Sequence, residues 1–343
     1  MKLLTNILKT LSLASLFVVS TYANETFVHS KNTKLAVEYT FDASVAESID
    51  KEFFSFTDKP LAEIGFFVND AHHNVNDVYE KQVGETYLDQ LAFSSLINDD
   101  IARPLFNTDP RIGGFTPFNL VIYRKKSNMK TVITHITPEA AIDILQIKDK
   151  NVKEQFVKMF EPLDEKIEKK FKNASKSYTT LQGYASESVM NFEIPFDKPE
   201  DVDDFFDEFQ EVFEAAFEKK GYIIAGFYNM KYSLNSDDTD VLPMYNQYVV
   251  WSLCHIPFSY TIFDGKNATP EAAIFAPCSM YAYIKEGENK IIIGMPTLAS
   301  WAAALGISDK DKLEKIRELD RDIPAVLKSL GAKKLPNINP LKN

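Results

Sequence analysis

Cys254 and Cys278 are the only two thiols in 343 residues, and soft or polar side chains gather beside both. The first opens Cys254-His255-Ile256-Pro257; the second follows Phe275-Ala276-Pro277, with Met280 two residues on. On a strand that spacing puts Cys278 and Met280 on one face. Cys, His and Met together suit a soft metal such as Cu(I), which makes Cys254, Cys278 and His255 candidate metal ligands. The same pair suits a disulfide, or two buried thiols acting as small hydrophobes. A bond between them would close a loop of roughly 25 residues, worth about 3.5 kcal/mol in the chain-entropy picture. The candidate ligand, thiol or disulfide set is therefore Cys254, Cys278, His255, Met280 and Pro257.

No other stretch carries a comparable signal, and no residue is assigned a catalytic role. The chain has no Walker A loop, GxGxxG, HExxH, GxSxG, CxxC or CxxCH. Ser127-Asn128-Met129-Lys130 fits S-x-x-K by accident, on a hairpin turn. Asn173-Ala174-Ser175 and Asn267-Ala268-Thr269 fit the N-glycosylation triplet. His72 and His73 are adjacent, so on extended backbone they point apart and read as solvated loop histidines near Asp70 and Asp77. His135 reads as a hydrogen-bonded histidine at a helix start, within reach of Glu139. No cofactor is implied.

The elements that position the cysteines occur twice. Residues 273–307 read as a strand, a turn at Gly287, a second strand rich in Ile, and the start of a helix. Met280, Ala282 and Ile284 alternate with Tyr281, Tyr283 and Lys285, the pattern of a strand with two different faces. Residues 115–147 align with 275–307 without a gap, at a constant offset of 160. Upstream, residues 34–41, 43–63 and 64–68 read strand, helix, strand, and residues 188–196, 197–220 and 221–230 repeat that order. In the second helix, Val202, Phe205, Phe206, Phe209, Val212, Phe213, Ala216 and Phe217 form one apolar stripe. Asp197 with Glu200 matches a capping box there, Pro199 suits a first turn, and Gly221 closes the helix. Residues 69–114 and 231–271 are the least regular part of each half, and a charged amphipathic helix follows each hairpin.

The expected architecture is α+β: two similar domains, each a largely antiparallel sheet packed against helices. Their expected extents are 24–172 and 173–335, with a polar joint at 172–177 and a loose tail at 336–343. Residues 1–23 have the pattern of a secretory signal: Lys2 and Lys9, a short apolar core, then small residues at the −3 and −1 positions. Its removal takes net charge from −11 to −13 and leaves no membrane span, so a periplasmic or secreted protein is expected. An acidic balance of this size excludes a nucleic-acid footprint, which needs clustered Lys and Arg.

Cys254-His255-Ile256-Pro257-Phe258, then Phe275-Ala276-Pro277-Cys278-Ser279-Met280, a hairpin and Gly294-Met295-Pro296 resemble the domain of unknown function 302 family. Gly221-Tyr222, after an amphipathic helix, fits the same pattern. The resemblance covers residues 189–307 and, through the duplication and more faintly, 36–147. Phe118 stands where Cys278 would be, so the first copy reads as degenerate. The resemblance implies a compact α+β fold and supplies no mechanism. Two functions stay open: a non-catalytic module binding an unknown small ligand or periplasmic protein between its halves, or a thiol-redox or copper-handling protein using Cys254 and Cys278.

Overall fold

The structure, a computed structural model, describes residues 27–30, 32–231 and 242–336. The expected signal segment and all of the expected tail except Pro336 lie outside the described residues. A short strand β1 (Phe27–His29) is followed by β2 (Lys34–Phe41), β3 (Phe67–His72), β4 (Leu88–Ile97), β5 (Phe118–Lys125), β6 (Thr131–Ile136) and β7 (Ser175–Thr180). Then come β8 (Gly183–Ala185), β9 (Val189–Pro195), β10 (Ile223–Asn229), β11 (Tyr245–Cys254), β12 (Cys278–Lys285), β13 (Lys290–Pro296) and β14 (Lys333–Leu335). They build two six-stranded sheets, ordered β3-β4-β5-β6-β2-β7 and β10-β11-β12-β13-β9-β14. The two orders are the same when read by position, and every pairing is antiparallel.

The likeness extends to irregularities. The β3–β4 ladder slips between Val68 and Asp70, and the β10–β11 ladder slips at the same place, between Ile224 and Gly226. The β4–β5 and β11–β12 ladders slip at Leu88/Gln90 and Tyr245/Gln247. A bulge re-aims a strand locally, so a shared set of bulges bends both sheets alike. Asp149 and Asp309, 160 residues apart, cap the two long helices Lys150–Lys170 and Lys310–Ser329 through the same backbone N–H groups.

Helices cover one face of each sheet. Phe118 of β5 stacks on Phe160 of helix Lys150–Lys170, ring centroids 4.2 Å apart. Trp251 of β11 stacks on Phe213 of helix Val202–Glu218, also at 4.2 Å. The other face of each sheet meets the other half of the chain. Residues Pro110–Phe115 lie on β12 and β13, and residues Pro270–Phe275 lie on β5 and β6. Tyr245, Tyr248, Tyr281 and Tyr283 pack ring against ring there; the Tyr245 hydroxyl donates to the Phe106 carbonyl at 2.6 Å and that of Tyr248 to Pro110. Arg103 donates to the Met230 and Lys231 carbonyls, both at 2.8 Å. Asp264 in return accepts from Thr86 and the Tyr87 amide, both at 2.6 Å.

Four sequence expectations need correction. The stretches expected to be irregular contain β4 and β11, the ten-residue strands next to each sheet edge. Their sequences do not alternate because both faces are buried, one under helices and one under the other half. For the same reason Tyr281 and Tyr283, expected on a distinct face, are as buried as Met280 and Ala282. The joint expected at 172–177 is partly strand: β7 pairs with β2 as an edge of the first sheet, as β14 does with β9 in the second. Finally, helix Val202–Glu218 begins after Asp201, whose carboxylate accepts from the amides of Asp203 and Asp204. Asp197 does not cap it, because Pro199 holds Lys198 out of helical geometry and Asp201 is the next acceptor along. Gly221 does take the left-handed conformation, φ 84°, just after that helix, and Gly287 takes φ 76° in its hairpin.

Among the described residues no helix is long and apolar enough to cross a membrane.

Candidate functional site

The ends of β10, β11 and β12 meet the end of β3 and helix Val75–Val83 around a cavity of about 290 Å³ between the two halves. The first half contributes His72, His73, Val75, Val78, Tyr79 and Phe93 to its wall. The second contributes Cys254, His255, Phe258, Phe263, Cys278 and Trp301, with backbone at Ala276 and Pro277. Ala71, His73 and Val78 are exposed and mark the mouth, whereas Tyr79, Cys278 and Trp301 are buried. None of the wall residues is Asp, Glu, Lys or Arg, in a chain where a quarter of residues are charged.

Three of the five sequence candidates meet here. Cys254 ends β11 and Cys278 begins β12, with Leu253 directly opposite Cys278 in the ladder. The pleat therefore turns the Cys254 and Cys278 side chains to opposite sides of the sheet. Both are free, and this divergence of neighbouring side chains is why the expected disulfide does not form. Burial pushes the Cys254 thiol up to about 11, against a hydrogen bond with Ser259 that pulls the other way. Burial raises Cys278 as well, reinforced by Cys254 and Asp320. Both thiols are held protonated at neutral pH, the form that is a poor nucleophile and a poor metal ligand.

His255 serves as a helix cap. Its Nδ1 accepts from the Phe258 amide at 3.3 Å and starts the turn Ile256–Ser259. Asn98 does the same in the first half, accepting from the Ile101 amide at 3.3 Å. Burial lowers the His255 pKa, opposed by Glu318 and Asp322, so the ring is neutral with its proton on Nε2. His255→Ala is expected to destabilise by about 1 kcal/mol and His255→Asn by a few tenths, the pattern of a replaceable cap. Urea unfolding of both variants checks this; equal losses would exclude the capping role. Met280 lies outside the cavity, fully buried opposite Trp251. Pro257 is exposed in the first turn of its helix, its carbonyl accepting from Thr261 at 2.8 Å.

The sequence pattern missed His72, Tyr79 and Trp301. His72 is not a solvated loop residue: it ends β3, packs its ring on Phe93 with centroids 5.0 Å apart, and buries Nε2 without a partner. Burial lowers its pKa, then His73; the Ala225 backbone acts the other way. His73 stacks on Phe54 at 4.5 Å, outside the depth of the cavity. The Trp301 Nε1–H is buried without a partner. The Tyr79 hydroxyl has Ser259 beside it, but no hydrogen bond of normal geometry. Far from this site, His135 pairs with Asp164 at 2.9 Å rather than with Glu139.

The equivalent place in the first half is filled. Phe118, Ala141 and Phe160 stand at the positions of Cys278, Trp301 and Asp320, 160 residues earlier. Phe118 stacks on Phe160 and meets Phe66 edge-on. In the second half the Asp320 carboxylate instead accepts from the Leu298 and Ala299 amides, at 2.9 and 2.8 Å, at the start of helix Leu298–Leu305. Two phenyl rings are thus exchanged for one indole, and Cys278 and Trp301 face open space. Among the described residues no three His, Cys, Asp or Glu side chains converge as metal ligands.

A search of curated proteins returns no match. Among solved structures, the crystal structure of an uncharacterized conserved protein DUF302 from Bacillus stearothermophilus is similar at 18% identity and a TM-score of 0.30, over 40% of this chain and 98% of its own. The family match falls on the first half, where the sequence resemblance was the fainter of the two. Residues 52–170 match the family described as Domain of unknown function DUF302, and the chain therefore carries a DUF302 domain.

Proposed function

We propose that this chain is a non-catalytic binding protein, exported, that takes a small ligand in the cavity between its halves. In this reading residues 173–335 are a second copy of the DUF302 unit, as the common strand order, bulges and caps support. The first copy is degenerate as a binding site, since Phe118 and Phe160 fill the equivalent space. The observation that carries the proposal is a largely apolar cavity whose wall holds buried polar atoms without partners. Such atoms are rare in folded proteins, and a small apolar pocket with a few polar groups is the usual form of a ligand site. The alternative, thiol-redox or copper handling at Cys254 and Cys278, is weakened by two protonated thiols directed apart.

The test is a titration of the full chain with N-phenyl-1-naphthylamine, a neutral fluorophore that brightens in apolar surroundings. Saturable binding at one site is expected. Cys278→Phe, which copies Phe118 into the second half, is expected to weaken it at least tenfold, about 1.4 kcal/mol. Val78→Trp, at the exposed mouth, is expected to do so without touching the core. Absence of saturable binding, or unchanged binding in both folded variants, would overturn the proposal.

A further inference from the structure

The chemistry of the cavity wall narrows the ligand, on the premise that the cavity is the binding site. Every titratable group in it is neutral at neutral pH: the two thiols by burial, His72 and His255 by the same desolvation. An ion entering such a space would shed its hydration and find no counter-charge, a loss that excludes charged groups far more strongly than it excludes polar ones. The cavity volume corresponds to roughly ten waters at about 30 Å³ each, so a ligand of roughly ten or somewhat more non-hydrogen atoms fills it. Phe93, Phe258, Phe263 and Trp301 offer aromatic surface, which favours a flat ring.

Two buried atoms then specify polarity. The indole Nε1–H of Trp301, only 4% exposed, can donate and can do nothing else. His72 presents the opposite need. The Ala225 carbonyl beside the ring accepts only, so the proton belongs on the nitrogen facing it, and Nε2 is left as a lone pair without a donor. One donor from the second half and one acceptor from the first thus lack partners in one cavity. A hydroxyl is the smallest group that satisfies both, accepting from Trp301 while donating to His72. We propose that the cavity binds an uncharged ring compound bearing a hydroxyl, read by Trp301 Nε1–H and His72 Nε2.

The experiment is a calorimetric titration of the full chain with four probes of one shape: p-cresol, 4-methylanisole, toluene and 4-hydroxybenzoate. p-Cresol is expected to bind about tenfold or more tighter than toluene, because only it satisfies both buried atoms. 4-Methylanisole, which accepts but cannot donate, is expected between the two, and 4-hydroxybenzoate is expected not to bind. Trp301→Phe is expected to remove most of the p-cresol advantage while leaving toluene affinity within about twofold. If N-phenyl-1-naphthylamine, p-cresol and toluene all bind, the last two equally well, the cavity is a ligand site and the hydroxyl readout is wrong. Tight binding of 4-hydroxybenzoate would overturn the uncharged class. If none of the probes binds, N-phenyl-1-naphthylamine included, the cavity itself is not the binding site, and this inference falls with it.

Discussion

Asp109→Ala is expected to lower the free energy of unfolding by about 3–5 kcal/mol, the usual loss when one member of a buried ion pair is removed. Asp109 is 2% exposed and Arg111 5%. The carboxylate accepts from Arg111 Nε at 2.9 Å and Nη2 at 2.8 Å, and also from the Arg111 amide at 3.2 Å. This pair lies in the segment that the first half lays on β12 and β13, with Tyr281 close to the guanidinium. Deleting the carboxylate strands a cation between two protein layers with no water to take its place. Asp109→Leu combined with Arg111→Met is expected to lose much less, since neither charge then remains buried. Urea unfolding at neutral pH measures both. A single variant within 1 kcal/mol of the parent would show that the guanidinium finds solvent or another acceptor.

Phe213→Ala is expected to destabilise by about 3–5 kcal/mol, whereas its neighbour Val212→Ala should stay within about 0.5 kcal/mol. Phe213 is fully buried, stacked on Trp251 at 4.2 Å and packed on Phe217 at 4.7 Å. Its loss leaves a ring-sized void in the interface of helix and sheet. Val212 is 57% exposed although it belongs to the stripe read from the sequence. Differential scanning calorimetry of the two variants separates the cases. Comparable losses would mean that the helix turns a different face to β10 and β11.

The apolar stripe was therefore legible one residue too wide. A helix advances 100° per residue, so Val212 lies beside the buried face without belonging to it, and spacing alone does not set where that face ends. The duplication was legible outright, because an aligned run without gaps needs no knowledge of packing, and the two sheets share one strand order. β4 and β11 were not legible. Alternation marks a strand only when its two sides meet different surroundings, and here the other half of the chain buries the side that a lone sheet would expose to water.

The cysteines show the same division at the level of the site. Their rarity and their neighbours pointed to the right end of the sheet, and Cys254, His255 and Cys278 do line one cavity. The disulfide failed on a detail that only the ladder supplies: Leu253, not Cys254, is opposite Cys278. His72, Tyr79 and Trp301 had no signal in the chain, since each is ordinary in its own segment and acquires meaning only across the interface between halves. By itself the sequence determined a repeated antiparallel α+β unit, its hairpins, its long capped helices and the location of its soft side chains. These follow from local periodicity and from comparison of the chain with itself. Only the tertiary structure decided that one half's cavity is filled by Phe118 and Phe160 and the other's is open. That depends on which side chains, some 200 residues apart, are brought to share one volume.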